Sequence, residues 1–575
     1  MRLINIDAFL RRERSFHLGR RAEHRTKVLE FHDDETTNYA ILSHRWIDPT
    51  EVDYEEMVDL AKMDRQEQDE IRGRLGYKKI VDACKQAKLD GYEWVWVDTC
   101  CIDKRSSAEL SEAINSMYRW YANAKICYAY LHDVDGSSFS ADDPKYPKSN
   151  GWPEWFSRRW TLQEMIAPRN LQFFNKDWQP IGDKKMLAGM LELITQVPQN
   201  ILTDGLEGNR PCVAQIISWA AERTTTRVED RAYSLMGLLD VNMPMLYGEG
   251  KKAFHRLQLE IIRSSNDQSI FAWGHKSSSV RIGSILADDP SDFEDCSAME
   301  LMNHDELLKK FPELSSTNAD HFDVFPITNR GIQIWMSLRR YRNSNSVFQV
   351  YLPCRSDGSL VSINLVLWNS NYYRYPPTRD AALDASPAEF HQVYLRYQDT
   401  SNYAVTFDID DSGVMENGFT SWNVDPKNLT RNTFTLTNIN PFCVKSYFEK
   451  QGGGHFNIAF GQCLGLDWVH MDVARPPWCW FDDTLKVQMP GGALSTVDAH
   501  FQAPSSGRLW VCHLQLPGST WIVRIYRITW ERSKIRLRLE VSRGTHPQNC
   551  LDEWNAYDVE VSDFFVHVDY YHNDS

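Results

Sequence analysis

Up to about residue 135, short apolar runs alternate with segments whose apolar residues recur every three or four positions. The runs at 39–42, 94–97 and 126–131 predict buried strands, and the segments between them predict helices with one apolar face. The spacing Ser106-x-x-Glu109 is typical of a capping box and marks the start of one of these helices. Because such alternation is typical of a parallel sheet covered by helices, we predict an α/β domain here.

The pattern stays helical over a long stretch beyond this region. Residues 155–165 have helix-compatible spacing, Pro168 ends that helix, and residues 171–174 predict a further strand. From 183 to 272 the spacing is mainly helical. One apolar stripe of this segment consists of Ala253, Phe254, Leu257 and Ile261. We interpret residues 183–275 as a helical extension of a first domain at 1–182.

After residue 275 the pattern changes to short alternating or β-branched runs, which predict strands. These runs lie at 348–352, 361–366, 392–395, 509–512, 521–525 and 535–539. They have no fixed period, which argues against a repeat array. We therefore predict a mostly β C-terminal domain at 276–575.

Composition and charge restrict the class of protein. With 575 residues, 42% hydrophobic and 25% charged, the chain has the composition of a folded protein. A formal net charge of -15 argues against binding to nucleic acid through its phosphates. Neither a secretory signal nor a membrane span is predicted, so we expect a cytoplasmic protein. The 12 cysteines contain no Cys-x-x-Cys pair, and no metal site is predicted.

Polar residues that could carry chemistry follow two of the predicted strands. Ser43, His44, Arg45 and Trp46 come directly after the first strand, and Asp98 follows the next. Open parallel sheets bind ligands at the carboxyl ends of their strands, so these residues are candidates for lining a shared crevice. The alternative is that their side chains only hydrogen-bond their own turns.

The segment around Glu164 is a third candidate. On a helix Trp160 and Glu164 are four residues apart and share a face. An apolar neighbour raises the pKa of a carboxyl group, which suits acid and base chemistry, whereas Arg158 and Arg159 would lower it. An ordinary helix with Glu164 paired to an arginine is the alternative interpretation.

Taken together, these segments resemble a known family. Residues 39–46, residues 97–103 leading into 111–118, and residues 158–164 are similar in order and spacing to the three signature blocks of the HET domain, the fungal heterokaryon-incompatibility domain. Residues 231–273 resemble the segment that often follows this domain. The resemblance covers nearly half of the chain.

The resemblance implies a fold and a role. It implies a TIR-like, flavodoxin-like parallel sheet, and a part in recognising non-self after cell fusion and triggering programmed cell death, a form of fungal innate immunity. Many enzymatic TIR domains cleave NAD+ with a glutamate in a Trp-Cys-x-x-Glu motif. Here Trp160 and Glu164 match that motif, with Thr161 in place of the cysteine. Glu164 thereby becomes the candidate catalytic residue of an NADase.

The same resemblance suggests roles for the other candidates. Ser43 and the loop after it, with His44 and Asp98, would line the nucleotide crevice, and Arg45 would meet the pyrophosphate. Trp46 or Trp160 would stack on a ring. NAD+ would be a substrate, with no cofactor required.

Two other functions stay open at this point. The HET domain could act as a non-enzymatic signalling module through self-association or protein partners, or it could be a scaffold for a ligand-binding C-terminal half.

Overall fold

A computed structural model gives the fold of the chain. It describes residues 1–18, 27–47, 49–139, 143–146, 151–208, 210–277, 280, 283–303, 306, 309, 325–341, 347–368, 370–376, 383, 388–398, 405–423, 432–436, 442–449, 455–463, 466–472, 487–488, 498–500, 511–515, 521–531, 534–543 and 567–568. The start of the predicted run at 509–512 lies outside these residues.

The N-terminal region contains a seven-stranded sheet. Its strands are β1 (Arg2–Asn5), β2 (Leu29–Phe31), β3 (Tyr39–His44), β4 (Trp94–Trp96), β5 (Ile126–Tyr130), β6 (Leu171–Phe174) and β7 (Pro180–Asp183). The order is β2-β1-β4-β3-β5-β6-β7, and the four strands from β4 to β6 in this order are parallel. The outer strands β1, β2 and β7 pair antiparallel and add to the predicted parallel sheet at both edges. For β7 the reason is its short connection to β6, which permits only antiparallel pairing.

Helices cover this sheet and continue beyond it. The α-helices are α1 (Ile6–His17), α2 (Tyr54–Asp59), α3 (Arg65–Gly73), α4 (Leu75–Leu89), α5 (Ser107–Asn123), α6 (Trp160–Ile166), α7 (Ala188–Thr195), α8 (Gln199–Asp204), α9 (Val213–Ser218), α10 (Asp230–Tyr233), α11 (Met236–Leu239), α12 (Lys252–Ser264) and α13 (Ser412–Glu416). Turns of 3-10 helix occupy Glu154–Ser157, Gln268–Phe271 and Pro290–Cys296. The predicted helical character of 183–272 is therefore present as several short helices.

Two local predictions differ from the structure. The helix expected over 155–165 is split, because Arg158 is extended and pairs with Thr224 in an isolated β-bridge. The capping box at Ser106 is half formed. Its hydroxyl accepts from Glu109 N at 3.3 Å, but the Glu109 carboxylate instead accepts from Asp103 N at 2.9 Å.

The C-terminal part of the described chain is rich in strands. One sheet contains β8 (Met299–Leu301), β9 (Ile332–Arg340), β10 (Val347–Ser356), β11 (Ser359–Trp368), β12 (Asn371–Tyr375) and β13 (Glu389–Leu395). Because β11 pairs with both β10 and β12, five of these strands close into a ring.

Three further sheets follow among the described residues. Their strands are β14 (Val405–Asp410), β15 (Phe419–Asn423), β16 (Thr433–Leu436), β17 (Phe442–Glu449), β18 (His455–Cys463), β19 (Leu466–Asp472), β20 (Val487–Gln488), β21 (Asp498–His500), β22 (Val511–Gln515), β23 (Trp521–Glu531), β24 (Lys534–Arg543) and β25 (His567–Val568). The mostly β character of this half agrees with the strand pattern.

One buried apolar cluster extends from Leu3 in β1 to Leu395 in β13. Polar contacts cross the same region: the buried Arg374 guanidinium donates to the Trp273 carbonyl at 2.6 Å. The first sheet, the helices after it and the closed β-ring thus share one core. The boundaries at 182 and 275 stay predictions. In the described part of the chain, no helix combines the length and the apolar character needed to cross a membrane.

Candidate functional site

The strand-end candidates lie at the carboxyl ends of β3 and β4. Strands β3 and β5 are also neighbours in the sheet, although β4 comes between them in the chain and pairs with the other side of β3. Such a switch in strand order leaves a crevice where open α/β sheets bind ligands. Ser43 and His44 close β3, which places both at this edge.

A chain of hydrogen bonds links this strand end to α6. The indole Nε1 of Trp155 donates to Ser43 Oγ at 2.9 Å, and Ser43 Oγ donates to Glu164 Oε2 at 2.5 Å. An indole N–H can only donate, so Ser43 accepts from it and its own hydrogen is available for the carboxyl group. All three side chains are buried. The contact joins residues 121 positions apart in the chain.

The surroundings of Glu164 raise its pKa to about 8. Burial is the main cause, since Glu164 is 5% exposed, and the negative charge of Asp98 adds to it. Hydrogen bonds from Ser43 and Tyr121 and the charge of Arg158 act in the opposite direction but do not outweigh burial. The carboxyl group is therefore mostly protonated at neutral pH.

Asp98 and Trp46 form the outer part of the site. Trp46 Nε1 donates to Asp98 Oδ2 at 2.7 Å, and the ammonium nitrogen of Lys104 lies 3.7 Å from the centroid of the Trp46 ring. The Trp46 ring is 38% exposed. A ligand stacking on the ring face that Lys104 covers would therefore displace that cation.

A cluster of three titratable side chains lies beside Asp98 and consists of His44, Glu51 and Lys79. His44 Nε2 is 3.5 Å from Glu51 Oε2 and 3.8 Å from Asp98 Oδ1, and neither ring nitrogen has a hydrogen-bond partner among the described residues. Lys79 Nζ donates to Glu51 Oε1 at 2.5 Å and to the Arg45 carbonyl at 3.1 Å. Burial would raise the pKa of Glu51, but His44 and Lys79 hold it at about 2. This carboxylate is ionised.

A close approach of two segments places Glu51 there. Gly76, in the first turn of α4, packs against the loop before α2, so that a Cβ atom at this position would lie 2.4 Å from the Thr50 carbonyl oxygen. Only glycine permits this contact. The same helix carries Lys79, so the packing brings the ammonium group to the carboxylate.

Arg45 and Trp160 have other partners. The Arg45 guanidinium, 37% exposed, forms an ion pair with Glu154. The Trp160 indole N–H donates a hydrogen bond to the Asp230 carboxylate and is therefore not available to Ser43. The indole that contacts Ser43 belongs to Trp155, on the other side of the break in the helix. Thr161, which stands where the TIR motif has cysteine, lies 2.7 Å from the Trp155 carbonyl oxygen and 2.8 Å from that of Arg158, and thus stabilises this break.

The structure thus connects Ser43, His44, Trp46, Asp98 and Glu164 through direct contacts and shared electrostatics. Sequence reasoning missed four participants, which are Glu51, Lys79, Tyr121 and Trp155. Lys79 had a detectable signal, because it interrupts the apolar face of a helix that also carries Ile80 and Val81, and a cation in that position needs a buried partner. The contact of Trp155 had none, since it depends on the break at Arg158.

Comparison with known proteins identifies two segments of the chain. Residues 39–154, from β3 to the start of the 3-10 turn before α6, match the heterokaryon incompatibility protein (HET) family. The N-terminal region contains a HET domain. Glu164 lies beyond the end of the segment that matches this family. Residues 252–283, which include α12, match a domain of unknown function (DUF8212).

A curated relative matches a longer segment of the chain than the HET family does. A segment of 226 residues, 39% of this chain, is 45% identical to the vegetative incompatibility protein HET-E-1 of Podospora anserina. The chain spans only 16% of the length of that relative. No solved structure matches the chain.

Proposed function

We propose that the HET domain cleaves NAD+ at the nicotinamide glycosidic bond, and that this cleavage triggers cell death in a heterokaryon-incompatibility reaction in the cytoplasm. The observation that carries the proposal is the hydrogen bond of 2.5 Å between Ser43 and Glu164. It ties a buried carboxyl group to the sheet edge where parallel α/β folds bind nucleotides.

The arrangement of the strands supports the TIR-like part of the proposal. Numbered among themselves in chain order, the four parallel strands have the order 2-1-3-4. Flavodoxin-like sheets begin with the same order and bind their ligand at this switch point. We propose that the HET domain belongs to that fold class, with antiparallel strands added at both edges.

The chemistry requires few groups. The bond between ribose C1′ and the nicotinamide nitrogen breaks, its electron pair stays with nicotinamide, and water then adds to the oxocarbenium ion to give ADP-ribose and a proton. Glu164 as a carboxylate would stabilise the developing positive charge. Since Glu164 has a pKa of about 8, entry of the cationic nicotinamide ring would favour its ionisation. Turnover should therefore rise with pH between about 6 and 8.

The test measures free nicotinamide after incubation of the full chain with NAD+. We expect Glu164→Gln to lower the rate about 100-fold or more, since it removes the charge and keeps the shape. Glu112→Gln is the matched control, because Glu112 lies on the exposed face of α5. Full turnover by the Glu164→Gln variant would exclude Glu164 from the reaction.

Activation of the domain is part of the proposal. Because HET-E-1 is a vegetative incompatibility protein and much longer than this chain, we propose that a protein partner or self-association switches the HET domain on. The assay is therefore run on the isolated chain and on the chain clustered through an added dimerisation tag. If neither form releases nicotinamide while the clustered form still kills cells, the HET domain signals without catalysis.

A further inference from the structure

Three side chains that commonly bind metals meet where β5 ends. His132 and Asp133 follow the strand after the buried Leu131, and Glu154 begins the 3-10 turn Glu154–Ser157. One ligand atom from each of the three lies within 4.8 Å of the other two, and this is the one such group in the described part of the chain. Ligand atoms about 2.0–2.2 Å from a single zinc ion are separated by roughly 3–4 Å, so the spacing already approaches that of a metal site.

The chain holds the carboxylate of Asp133 in place. Glu154 N donates to Asp133 Oδ2 at 2.8 Å, which leaves Asp133 Oδ1 facing the imidazole, 3.8 Å from His132 Nδ1. The other ring nitrogen, His132 Nε2, lies 3.7 Å from Glu154 Oε2. Both distances between the imidazole and the carboxylates are too long for hydrogen bonds.

Two atoms of this group lack hydrogen bonds. His132 Nδ1 and Asp133 Oδ1 are shielded from solvent, and neither has a hydrogen-bond partner among the described residues. Lone pairs buried in this way destabilise a fold unless something binds them. Unsatisfied buried lone pairs of this kind are typical of side chains that bind a cation.

We propose that His132, Asp133 and Glu154 bind one divalent transition-metal ion, with Zn2+ as the best match and Mn2+ as the next. One imidazole and two carboxylates suit these ions better than Mg2+, which prefers oxygen ligands and retains several waters. Three protein ligands leave at least one position open on a tetrahedral ion, as in catalytic rather than structural zinc sites. The ion would lie at the same sheet edge as Ser43, because Glu154 directly precedes Trp155.

Arg45 opposes this binding and so provides a specific test. Its guanidinium forms an ion pair with Glu154, and its charge acts on His132 as well. A divalent cation has to compete with that positive charge. Since the Arg45 side chain is 37% exposed, it can move into solvent when the ion binds.

The experiment titrates the full metal-free chain with ZnCl2, and separately with MnCl2 and MgCl2, by isothermal calorimetry at neutral pH without NAD+. We expect one tight Zn2+ equivalent, weaker Mn2+ binding and no Mg2+ binding. His132→Ala and Glu154→Gln should each weaken Zn2+ binding at least tenfold, and Arg45→Gln should strengthen it severalfold. His391→Ala is the matched control, because His391 pairs with Glu389 at 3.0 Å on the exposed surface and should leave binding unchanged.

Two outcomes overturn the proposal: no Zn2+ binding by the intact chain, or equal binding by the intact chain and by both ligand variants, which means an adventitious ion only. Circular dichroism checks that the variants fold. If His132→Ala does not fold, Zn2+ binding by Glu154→Gln alone tests the site. The measurement is independent of the proposed NAD+ cleavage, since it requires neither substrate nor turnover. Failure of one proposal therefore leaves the other standing.

Discussion

Two glutamates at the same sheet edge differ in their charge state. Glu164 is surrounded by the neutral hydrogen-bonding groups of Ser43 and Tyr121 and by the negative charge of Asp98, and its pKa is raised to about 8. Glu51 is also largely buried, but Lys79 and His44 hold its pKa at about 2. Burial by itself raises the pKa of both carboxyl groups.

The partners outweigh burial at Glu51 and do not outweigh it at Glu164. A buried carboxyl group ionises only when a cation or several donors compensate for lost hydration. The region around Glu51 is thus a structural ion pair, whereas the region around Glu164 keeps an uncompensated acid. Groups of the second kind are concentrated at functional sites.

Removing the ammonium group of Lys79 should have the largest effect on stability. In Lys79→Met the Glu51 carboxylate loses its ammonium partner while staying buried, so we expect a loss of about 3–5 kcal/mol in the free energy of unfolding. Urea denaturation measures it. Lys62→Met is the matched control, since Lys62 pairs with Asp59 on the surface, and its loss should stay below about 1 kcal/mol. Equal losses in the two variants would contradict the distinction between the two regions.

The pH dependence of stability tests the Glu164 region. The pKa of Glu164 is 4.5 in the unfolded chain and about 8 in the fold, so its contribution to stability is present below pH 4.5 and is lost as the pH rises through about 8. Glu164→Gln has no such proton. We expect the variant to gain on the order of 2–4 kcal/mol relative to the native chain between pH 5 and pH 8.

Denaturation curves at pH 5, 6, 7 and 8 measure this difference. Glu51→Gln sharpens the comparison, since a carboxylate held at a low pKa gives no such dependence in this range. Parallel curves for the native chain and Glu164→Gln would contradict a raised pKa.

Ser43→Ala should have the smallest effect. It removes the hydrogen bond to Glu164 and leaves Trp155 Nε1 buried without its acceptor, so we expect a loss of about 1–2 kcal/mol. Because the Ser43 hydrogen bond lowers the pKa of Glu164, the variant should also lose stability with rising pH up to a higher pH than the native chain. Ser264→Ala, on the exposed side of α12, should change stability by less than about 0.5 kcal/mol. If the pH at which the Ser43→Ala curve levels off does not move, Ser43 does not act on the carboxyl group.

The sequence predicted the secondary structure well where it depends on residues close together in the chain. The apolar runs at 39–42 and 171–174 fall within β3 and β6, since a strand buried on both faces carries apolar residues at most positions. The order of strands and helices, and hence the parallel centre of the sheet, followed from the same periodicity. The sequence also indicated that the ends of β3 and β4 carry the polar residues.

The tertiary structure decided which of those residues meet. The pattern of α6 favoured Trp160 as the neighbour of the carboxyl group, but the β-bridge between Arg158 and Thr224 interrupts the helix and brings Trp155 to Ser43 instead. Arg158 and Thr224 are 66 positions apart in the chain and come together only in the folded protein. No local pattern encodes such a contact.

Local chemistry along the chain thus determined the elements and their polar ends, because secondary structure depends on neighbours within a few residues. Only the tertiary structure set the charge of each site residue, since a pKa depends on burial and on partners from distant segments. For the same reason it alone brought His132 and Asp133 to Glu154.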